Sequence, residues 1–541
     1  MIYAIALILA AVSATAGRVL GLILISIVTG WFLSYYAIKS RIFESIYVIS
    51  MEIFESVPVI SFFPIVLLLF VSGIGGSLGV ELAVDFLVFT AVVWNIWMGE
   101  YQAFKTVPKE MVEVGENYKM TLMEKLQKVY IPFSIPRIAA NLFPSVSDGF
   151  FYIAVSEVFS VGNKSFQVFG VGSVLYGYIS SGNVEMIEVS LIILGLVIVL
   201  IIALLREFAK YAVSRYALDT DTPVFRRGRF NIREAARRSG IIALNPLTRL
   251  ANYNRIRRSR AYTDEYYEPE ARKRKRRLIP PAIGIAMLLI LAYLAYLIVS
   301  SVSLSTWYYL FSVTPDLLMD LLYDYMRVAI IVLVSMFFAI FVGYYFAVNR
   351  KAEAVGIPAI QAFSAYPAPI YFPFIFLGLS LSVSSIFGYL TDEAFVLFLG
   401  FISTFYYVFY SFWMGVKAMP QEYSELMKNL DLTFTQRMRR VILPATFPYL
   451  ISGISSTINS AWGGLMIGEY WPDIIGNKTL SVGHGLMKVI DVATNSGNIT
   501  LAAWASFLFG IVVVFYSFFF TKKMMDLARR KYVAEEGIFS A

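Results

Sequence analysis

The sequence predicts an all-α polytopic membrane protein with about eleven transmembrane helices, in a range of ten to twelve, arranged as two parallel pseudo-symmetric repeats. Of its 541 residues, 58% are hydrophobic and 15% are charged, and the mean hydropathy is +0.68. A soluble protein of this length would carry charge on about a quarter of its residues. Apolar runs of roughly 20 residues recur, each long enough to cross the hydrocarbon layer as a helix. The chain is therefore expected to cross a membrane many times.

Two residue counts exclude several kinds of chemistry. The chain has no cysteine, which rules out disulfides, thiol catalysis and thiolate metal sites. Its single histidine, His484, is too little for a histidine metal cluster, and we interpret it as a loop residue rather than a proton relay. No catalytic carboxylate cluster or nucleophile with a base is evident, which argues against a membrane enzyme.

The same order of arginine, proline and glutamate residues occurs twice along the chain. A shift of 309 residues places Arg18 on Arg327 and the pair Pro58/Pro64 on Pro367/Pro373. A shift of 312 relates further pairs: Glu113 with Glu425, Pro132 with Pro444, and Glu157 with Glu469. So many matches in one order indicate a duplication. We predict a first repeat over 1–215, a basic linker over 216–278 and a second repeat over 279–541.

Apolar runs give the predicted spans. Those of the first repeat lie near 10–37, 57–78, 82–102, 134–157 and 185–208. Those of the second lie near 280–302, 326–347, 363–386, 392–414, 446–468 and 499–521. Residues 1–16 form either part of the first span or a short shallow helix. A cleaved signal peptide there is the less favoured interpretation, because the stretch lacks a basic start.

Basic residues cluster on one predicted side, which the positive-inside bias assigns to the cytoplasm. This side holds 105–128, 417–440 and the linker, with its basic run over 272–277. Such a run between spans favours a cytoplasmic loop touching anionic lipid over nucleic-acid binding. The N-terminus then lies outside, and both repeats share one topology. A parallel repeat argues against transporters built on inverted repeats, although parallel repeats also occur among secondary transporters.

Each repeat carries one cytoplasmic loop of about 30 residues. The first contains Glu113-Val114-Gly115-Glu116-Asn117-Tyr118-Lys119 and ends at Pro132; the second runs from Glu425 to Pro444. Both loops resemble the "EAA" loop of permease subunits of binding-protein-dependent ABC importers. They depart from it in two ways. The family's two alanines are Val114-Gly115 and Leu426-Met427, and its glycine is Lys119 in one loop and Asp431 in the other. The turn between the two short helices is therefore expected to differ from the family's.

The resemblance implies a coupling role for both loops. The implied coupling residues are Glu113, Glu116, Lys119, Pro132, Glu425, Asp431 and Pro444. The apolar residues Met120, Met123, Leu126 and Val129 have helical spacing, which predicts docking in a groove of a soluble partner. The terminal proline is expected to end the short helix and turn the chain into the bilayer. The alternative is an amphipathic loop lying on the membrane surface.

The resemblance also implies partners and location. Two ABC ATPase subunits would carry ATP and Mg²⁺, this chain would hold no cofactor, and an extracytoplasmic binding protein would deliver a small solute. The chain would reside in the cell membrane. The proline pairs and the outer Gly170-Val171-Gly172 and Gly483-His484-Gly485 segments resemble the branch that serves nitrate, taurine and sulfonates. They do not decide the sign of the substrate's charge. A secondary transporter or channel without an ATPase is the main alternative, and a scaffold would leave the repeated loops unexplained.

Several residues within or at the ends of spans are candidates for the translocation path: Arg18, Arg327, Glu157, Glu469, Pro64 and Pro373. Ionisable groups in spans are costly and often functional. For the charged residues, the alternative is structural pairing or snorkelling at the interface. For the prolines, the alternative is a packing kink.

Overall fold

The computed structural model describes residues 2–56, 59, 66–161, 164–216, 302–417, 419, 421–475, 478–516, 523–524 and 527. Several predictions therefore lie outside the described residues: the linker beyond residue 216, the span 280–302 before its last residue, and both Pro58 and Pro64. Within the described residues, the chain is mostly helical.

The first repeat contains eight α-helices among the described residues. They are α1 (Ile2–Lys39), α2 (Arg41–Ser56), α3 (Gly76–Lys105), α4 (Lys109–Asn117), α5 (Leu122–Lys125), α6 (Ile131–Ser156), α7 (Val171–Ser180) and α8 (Val184–Tyr216). A π-helical segment covers Leu67–Ser72, and another covers Leu126–Tyr130 and leads from α5 into α6.

The second repeat shows the same order after residue 304. Its helices are α9 (Leu304–Phe338), α10 (Tyr344–Val348), α11 (Arg350–Ala365), α12 (Ala368–Phe387), α13 (Thr391–Lys417), α14 (Gln421–Asn429), α15 (Phe434–Arg437), α16 (Leu443–Gly468), α17 (Leu486–Asn495) and α18 (Ile499–Tyr516). π-Helical segments cover Ala339–Gly343 and Met438–Ile442, and a 3₁₀ turn covers Gly388–Leu390. Helix α16 and the π-helical segment before it lie 312 residues after their counterparts in the first repeat.

The protein is an all-helical, polytopic membrane protein, as predicted. Seven helical segments of the described chain are long and apolar enough to cross a membrane, or eight if the pair Leu122–Ala139 and Asn141–Ser156, bent by 60°, forms one span. One of the seven, Ala368–Lys417, contains both α12 and α13. The predicted number of about eleven is not established by this count.

Of two alternatives for the N-terminal residues the structure has the first, whereas the prediction for Pro132 and Pro444 is wrong. Residues 2–16 are continuous with α1 and do not form a separate shallow helix, because no proline or glycine pair interrupts the apolar run. Pro132 and Pro444 do not end a helix; each closely follows a π-helical segment and lies inside a continuous helical run.

Two short antiparallel hairpins follow α6 and α16 and were not predicted from the sequence. Strand β1 (Val158–Val161) pairs with β2 (Lys164–Gln167), and β3 (Tyr470–Ile475) pairs with β4 (Lys478–Ser481). Both hairpins lie on the side of the membrane that the sequence predicts to be the outer one. Strands of four to six residues give too short an alternation to be recognised beside long apolar helices.

Each repeat has its own apolar core, and helices from the two repeats contact each other. Phe151 of α6 packs against both cores. Helix α11 packs on α6 and α8, and α12 packs on α6. The Tyr366 hydroxyl donates a hydrogen bond to the Leu191 carbonyl at 2.8 Å. The junction between the repeats is therefore made by membrane helices.

Candidate functional site

The two cytoplasmic loops form the same element, a short helix, a tight turn and a second short helix. In the first repeat, α4 and α5 flank the turn; in the second, α14 and α15 flank it. Thr121 and Glu124 form a capping box at the start of α5, and Thr433 with Gln436 forms one at the start of α15. A capping box satisfies backbone N–H groups that the first turn leaves free. Local sequence therefore fixes the start of the second helix in both loops.

The turn between the two short helices has a left-handed residue in both loops. Among the described residues, Lys119 (φ 47°) and Asp431 (φ 43°) are the non-glycine residues with positive φ. These are the positions where the resembling family has glycine, which adopts this conformation without steric cost. The structure has a left-handed turn at both positions, with a side chain in it. That this turn differs from the turn of the resembling family stays a prediction.

The exposed face of each loop is partly apolar. Val114 and Tyr118 are 48% and 72% exposed, and their counterparts Leu426 and Leu430 are 46% and 60% exposed. Residues four apart lie on one side of a helix, so each pair forms a short stripe on α4 or α14. Glu113 and Glu425 are exposed on the same helices. The same pattern therefore recurs in both repeats.

The predicted docking residues of the first loop are only partly on this surface. Met123 is 46% exposed, but Leu126 and Val129 are buried against Tyr35 and Phe104. Their helical spacing arises because the π-helical turn packs against α1 and α3. A sequence pattern along one segment cannot distinguish such a buried face from an exposed apolar stripe. Glu116 lies 3.9 Å from both Lys39 and Lys125, which ties α4 to the end of α1 and to α5.

A partly buried ionic network lies at the outer end of the first repeat, with Glu157 fully buried and Glu81 and Asp85 partly exposed. Arg18 of α1 reaches Glu81 at 2.8 Å, Asp85 at 3.1 Å and Glu157 at 3.5 Å. The Thr15 hydroxyl donates a hydrogen bond to Glu157 at 2.6 Å and accepts one from the Val171 N–H at 2.9 Å. The network joins α1, α3 and α6 to the start of α7.

The second repeat has the corresponding network. Arg327 reaches Glu393 at 2.6 Å, Glu469 at 2.9 Å and Asp324 at 3.1 Å. Asp324, at the position equivalent to Thr15, accepts a hydrogen bond from the Leu486 N–H at 3.0 Å. Three of the four charged positions are thus shared by the repeats. Sequence reasoning missed Glu81 and Glu393, although the 312-residue shift relates them.

The glutamates of these networks cap the short outer helices. Glu157 accepts a hydrogen bond from the Gly172 N–H at 2.6 Å, and Glu469 accepts one from the Lys488 N–H at 3.0 Å. Negative charge is favourable at a helix N-terminus. A Cβ on Gly170 would lie 1.9 Å from Glu157 Oε1, and one on Gly485 would lie 2.1 Å from Glu469 Oε2. Glycine is therefore required where α7 and α17 meet the carboxylates.

Burial dominates the protonation of these two glutamates, which follow the last residues of their spans. It raises the pKa of Glu157 to about 7, against the opposing effect of the hydrogen bonds from Thr15 and Gly172. It also raises the pKa of Glu469 to about 7, against the opposing effect of Arg327. Neither side chain is exposed. In this conformation both hold helices together, and the prediction that they line the path stays a prediction.

The structure says less about the remaining candidate residues. Pro373 lies inside α12 and is buried, and Pro64 lies outside the described residues. His484 is a loop residue, as interpreted from the sequence, with its ring stacked on Tyr323 and Nδ1 3.3 Å from Asp320. Across the described ranges, no group of three His, Cys, Asp or Glu side chains is arranged to hold a metal ion.

The fold and its repeated helices define the class, a polytopic integral membrane protein with matched helical elements in its two halves. Residues 335–532 match the family described as "Binding-protein-dependent transport system inner membrane component". The matched stretch lies wholly within the second half of the chain and is similar to the membrane component of such transport systems.

Two curated relatives indicate the branch. The nitrate import permease protein NrtB of Leptolyngbya laminosa is 28% identical over 116 residues, which are 21% of this chain and 38% of that protein. The putative aliphatic sulfonates transport permease protein SsuC of Bacillus subtilis (strain 168) is 24% identical over 139 residues, 26% of this chain and 45% of that protein. The chain spans less than half the length of both relatives. The matched stretches are therefore similar to parts of permeases named for nitrate and for aliphatic sulfonates.

Proposed function

We propose that the chain is the complete membrane channel of an ATP-driven importer, with two permease units fused in tandem. A small solute, delivered by an extracytoplasmic binding protein, passes between the two halves by alternating access. ATP and Mg²⁺ are held by two separate ATPase subunits, one docked on each cytoplasmic loop. The chain itself is a transport component, and hydrolysis takes place on its partners.

The observation that carries this proposal is the pair of matching helix–turn–helix loops. Each presents an apolar stripe and a glutamate from a short helix, with a left-handed turn at the same position. A short amphipathic helix that inserts into a groove is a recurrent mode of recognition between proteins. Each loop continues through a π-helical segment into α6 or α16. Movement of a docked partner would therefore act directly on a membrane helix.

A transporter or channel with parallel repeats and no ATPase is the competing function. It gives no reason for both loops to keep an exposed apolar stripe, whose exposure to water is unfavourable.

The absence of cysteine makes a direct test simple. The variants Val114→Cys and Leu426→Cys would be co-expressed with the ATP-binding subunit encoded nearest to this gene and treated with a thiol-to-amine cross-linker in membranes. We expect each variant to give a cross-linked product with that subunit. Tyr176→Cys, exposed on the outer helix α7, is the matched control and should give none.

An activity measurement completes the test. The double change Val114→Asp and Leu426→Asp should abolish stimulation of the co-purified ATPase, and either single change should reduce it. Equal cross-linking from Tyr176→Cys, or unchanged stimulation in the double variant, would contradict the proposal. Solute uptake by proteoliposomes that hold this chain alone would favour the competing function.

A further inference from the structure

A group of polar side chains lies well inside the long membrane helices where the two repeats meet. Asn95 of α3 donates a hydrogen bond to Asp148 Oδ2 at 3.3 Å. Tyr407 of α13, in the other repeat, donates a hydrogen bond to Asp148 Oδ1. Tyr407 is also hydrogen-bonded with Ser460 of α16. These four side chains are partly exposed although they lie deep within membrane helices.

The four residues are two equivalent pairs. The shift of 312 residues places Asn95 on Tyr407 and Asp148 on Ser460. Each repeat thus contributes one pair, and the Tyr407–Asp148 hydrogen bond joins the pairs across the junction. Helices α6 and α16 approach closely there: a Cβ on Gly463 would lie 2.6 Å from the Tyr152 hydroxyl oxygen. The cluster therefore lies on the pseudo-symmetry axis, where a path between the halves would run.

Helix α16 extends this polar surface. Ser452, Ser456, Asn459 and Ser460 recur at spacings of four, three and one residues, which places them along one side of the helix. Ser452 is exposed, and the other three are partly exposed. A polar stripe on a membrane helix is costly against lipid, and such stripes face the bundle interior or a water-filled cavity. The stripe is thus suited to a hydrated passage.

The charge near this cluster is mostly negative, although Arg137 lies on the same helix α6, eleven residues before Asp148. The middle portions of the four helices, residues 86–104, 138–156, 398–416 and 450–468, contain two ionisable Asp or Glu residues, Glu100 and Asp148, and no Lys, Arg or His. Glu100 is completely buried, whereas Asp148 is partly exposed. The equivalent of Asp148 in the second repeat is the neutral Ser460. A single carboxylate therefore lies on the axis.

Tyr407 donates a hydrogen bond to this carboxylate, and the buried Tyr152 and Tyr406 lie close enough to interact with it electrostatically. The ring centroids of Tyr406 and Tyr407 are 4.5 Å apart, and those of Phe151 and Tyr152 are 5.2 Å apart. Aromatic faces attract cations through the ring quadrupole, and aromatic groups recur where proteins recognise organic ammonium ions. A carboxylate among tyrosines suits an organic cation and repels nitrate or a sulfonate.

We propose that the passage between the two halves selects small organic cations over anions, with Asp148 as the residue that determines this specificity. The inference rests on the proposed function, whose substrate class it specifies. It sets this chain apart from the relatives whose names specify nitrate and sulfonates.

The test uses reagents of opposite charge and requires no knowledge of the natural substrate. In the cysteine-free chain, Ser456→Cys places a thiol on the polar stripe, one helical turn from Ser460. Its rates of reaction with a trimethylammonium-ethyl and a sulfonatoethyl methanethiosulfonate would be measured in liposomes and divided by the rates for a free thiol. Val114→Cys, exposed on the cytoplasmic loop, is the control.

We expect the ratio of cation to anion rates at Ser456→Cys to exceed that at Val114→Cys by about tenfold or more, the lower range for a cleft that focuses charge. Asp148→Asn should bring the ratio close to that of the control. Asp148→Ser, which copies the residue of the equivalent position, is the second variant. The first comparison requires no change at Asp148, so it is decisive even if both variants fail to fold.

Three results would overturn the inference: no reaction with either reagent, a faster reaction with the anionic reagent, or a ratio that Asp148→Asn leaves unchanged. The measurement requires neither the ATPase nor the binding protein. Loss of charge selectivity would therefore leave the cross-linking test of the proposed function unaffected, and failure of cross-linking would leave the selectivity result unaffected.

Discussion

Lys119 and Asp431 lie 312 residues apart and share one backbone conformation, with φ of 47° and 43° in the turns of the two cytoplasmic loops. A side chain in this left-handed region costs roughly 1–2 kcal/mol compared with a helical one. The conformation is kept in both repeats without glycine. The surrounding capping boxes and helices therefore impose the turn.

Lys119→Gly should stabilise the protein. Relief of the left-handed strain exceeds the extra backbone entropy that glycine gives the unfolded chain, so we expect a net gain of about 0.5–1 kcal/mol. Lys119→Val should destabilise, because a β-branched side chain fits this conformation poorly. Intrinsic tryptophan fluorescence during thermal unfolding in detergent would measure both effects. The control is Glu113→Gly, in the regular helix before the turn, which should destabilise the protein by about 1 kcal/mol. If Lys119→Gly and Glu113→Gly changed the stability in the same direction, Lys119 would not be in a strained left-handed conformation.

Gly170→Ala should destabilise the outer end of the first repeat strongly. The new Cβ would lie 1.9 Å from Glu157 Oε1, so α7 or the carboxylate must move and the helix cap is lost. We expect a loss of at least about 2 kcal/mol, from steric overlap together with an unpaired buried carboxylate. Gly177→Ala in the same helix meets no atom within 4 Å and should be neutral or stabilising. Similar unfolding temperatures for the two variants would contradict the contact.

Arg327→Gln should be among the most destabilising single changes at the outer face. Arg327 is 5% exposed and contacts Asp324, Glu393 and Glu469. Removing one partner of a buried ion pair leaves an uncompensated charge, which costs about 3–5 kcal/mol. Adding Glu469→Gln should recover part of the loss, and a double-mutant cycle would measure how much. The control is Arg350→Gln, which changes an exposed side chain. If Arg327→Gln lost no more stability than Arg350→Gln, the ionic network around Arg327 would be excluded.

The stability of the protein should fall between acid and alkaline pH in part because of Asp491 on α17. Burial, and then the nearby Glu469, raise the pKa of Asp491 to about 8, from an ordinary value of 3.8. The folded state therefore binds this proton more tightly than the unfolded state. Its contribution is complete below about pH 4 and is lost as the pH rises through 8.

Unfolding temperatures from pH 4 to pH 9 would test this contribution. Asp491→Asn should reduce the decline without abolishing it, because Glu157 and Glu469 also have raised pKa values. The exposed Asp316, on the same outer side, provides the control Asp316→Asn, which should follow the wild-type curve. A curve for Asp491→Asn that overlays the wild type would show that this carboxyl does not titrate in the window.

Prediction from the sequence was most successful where the signal is local or repeated. The ends of α3, α6, α13 and α16 lie close to the predicted spans, because apolar length and composition determine them directly. The cytoplasmic loops were located by their repeat. The sequence did not show which face of each loop is exposed. Leu126 and Val129 are buried, because α1 and α3 cover that side.

The sequence by itself determined that the chain is a helical membrane protein with a repeated order of residues, since hydropathy and internal similarity are read along the chain. Only the tertiary structure decided which polar groups meet. Arg18 finds Glu157 across 139 residues, and Tyr407 finds Asp148 across 259. Such partners follow from how the helices pack, and the unfavourable burial of an unpaired charge in a membrane makes that packing specific.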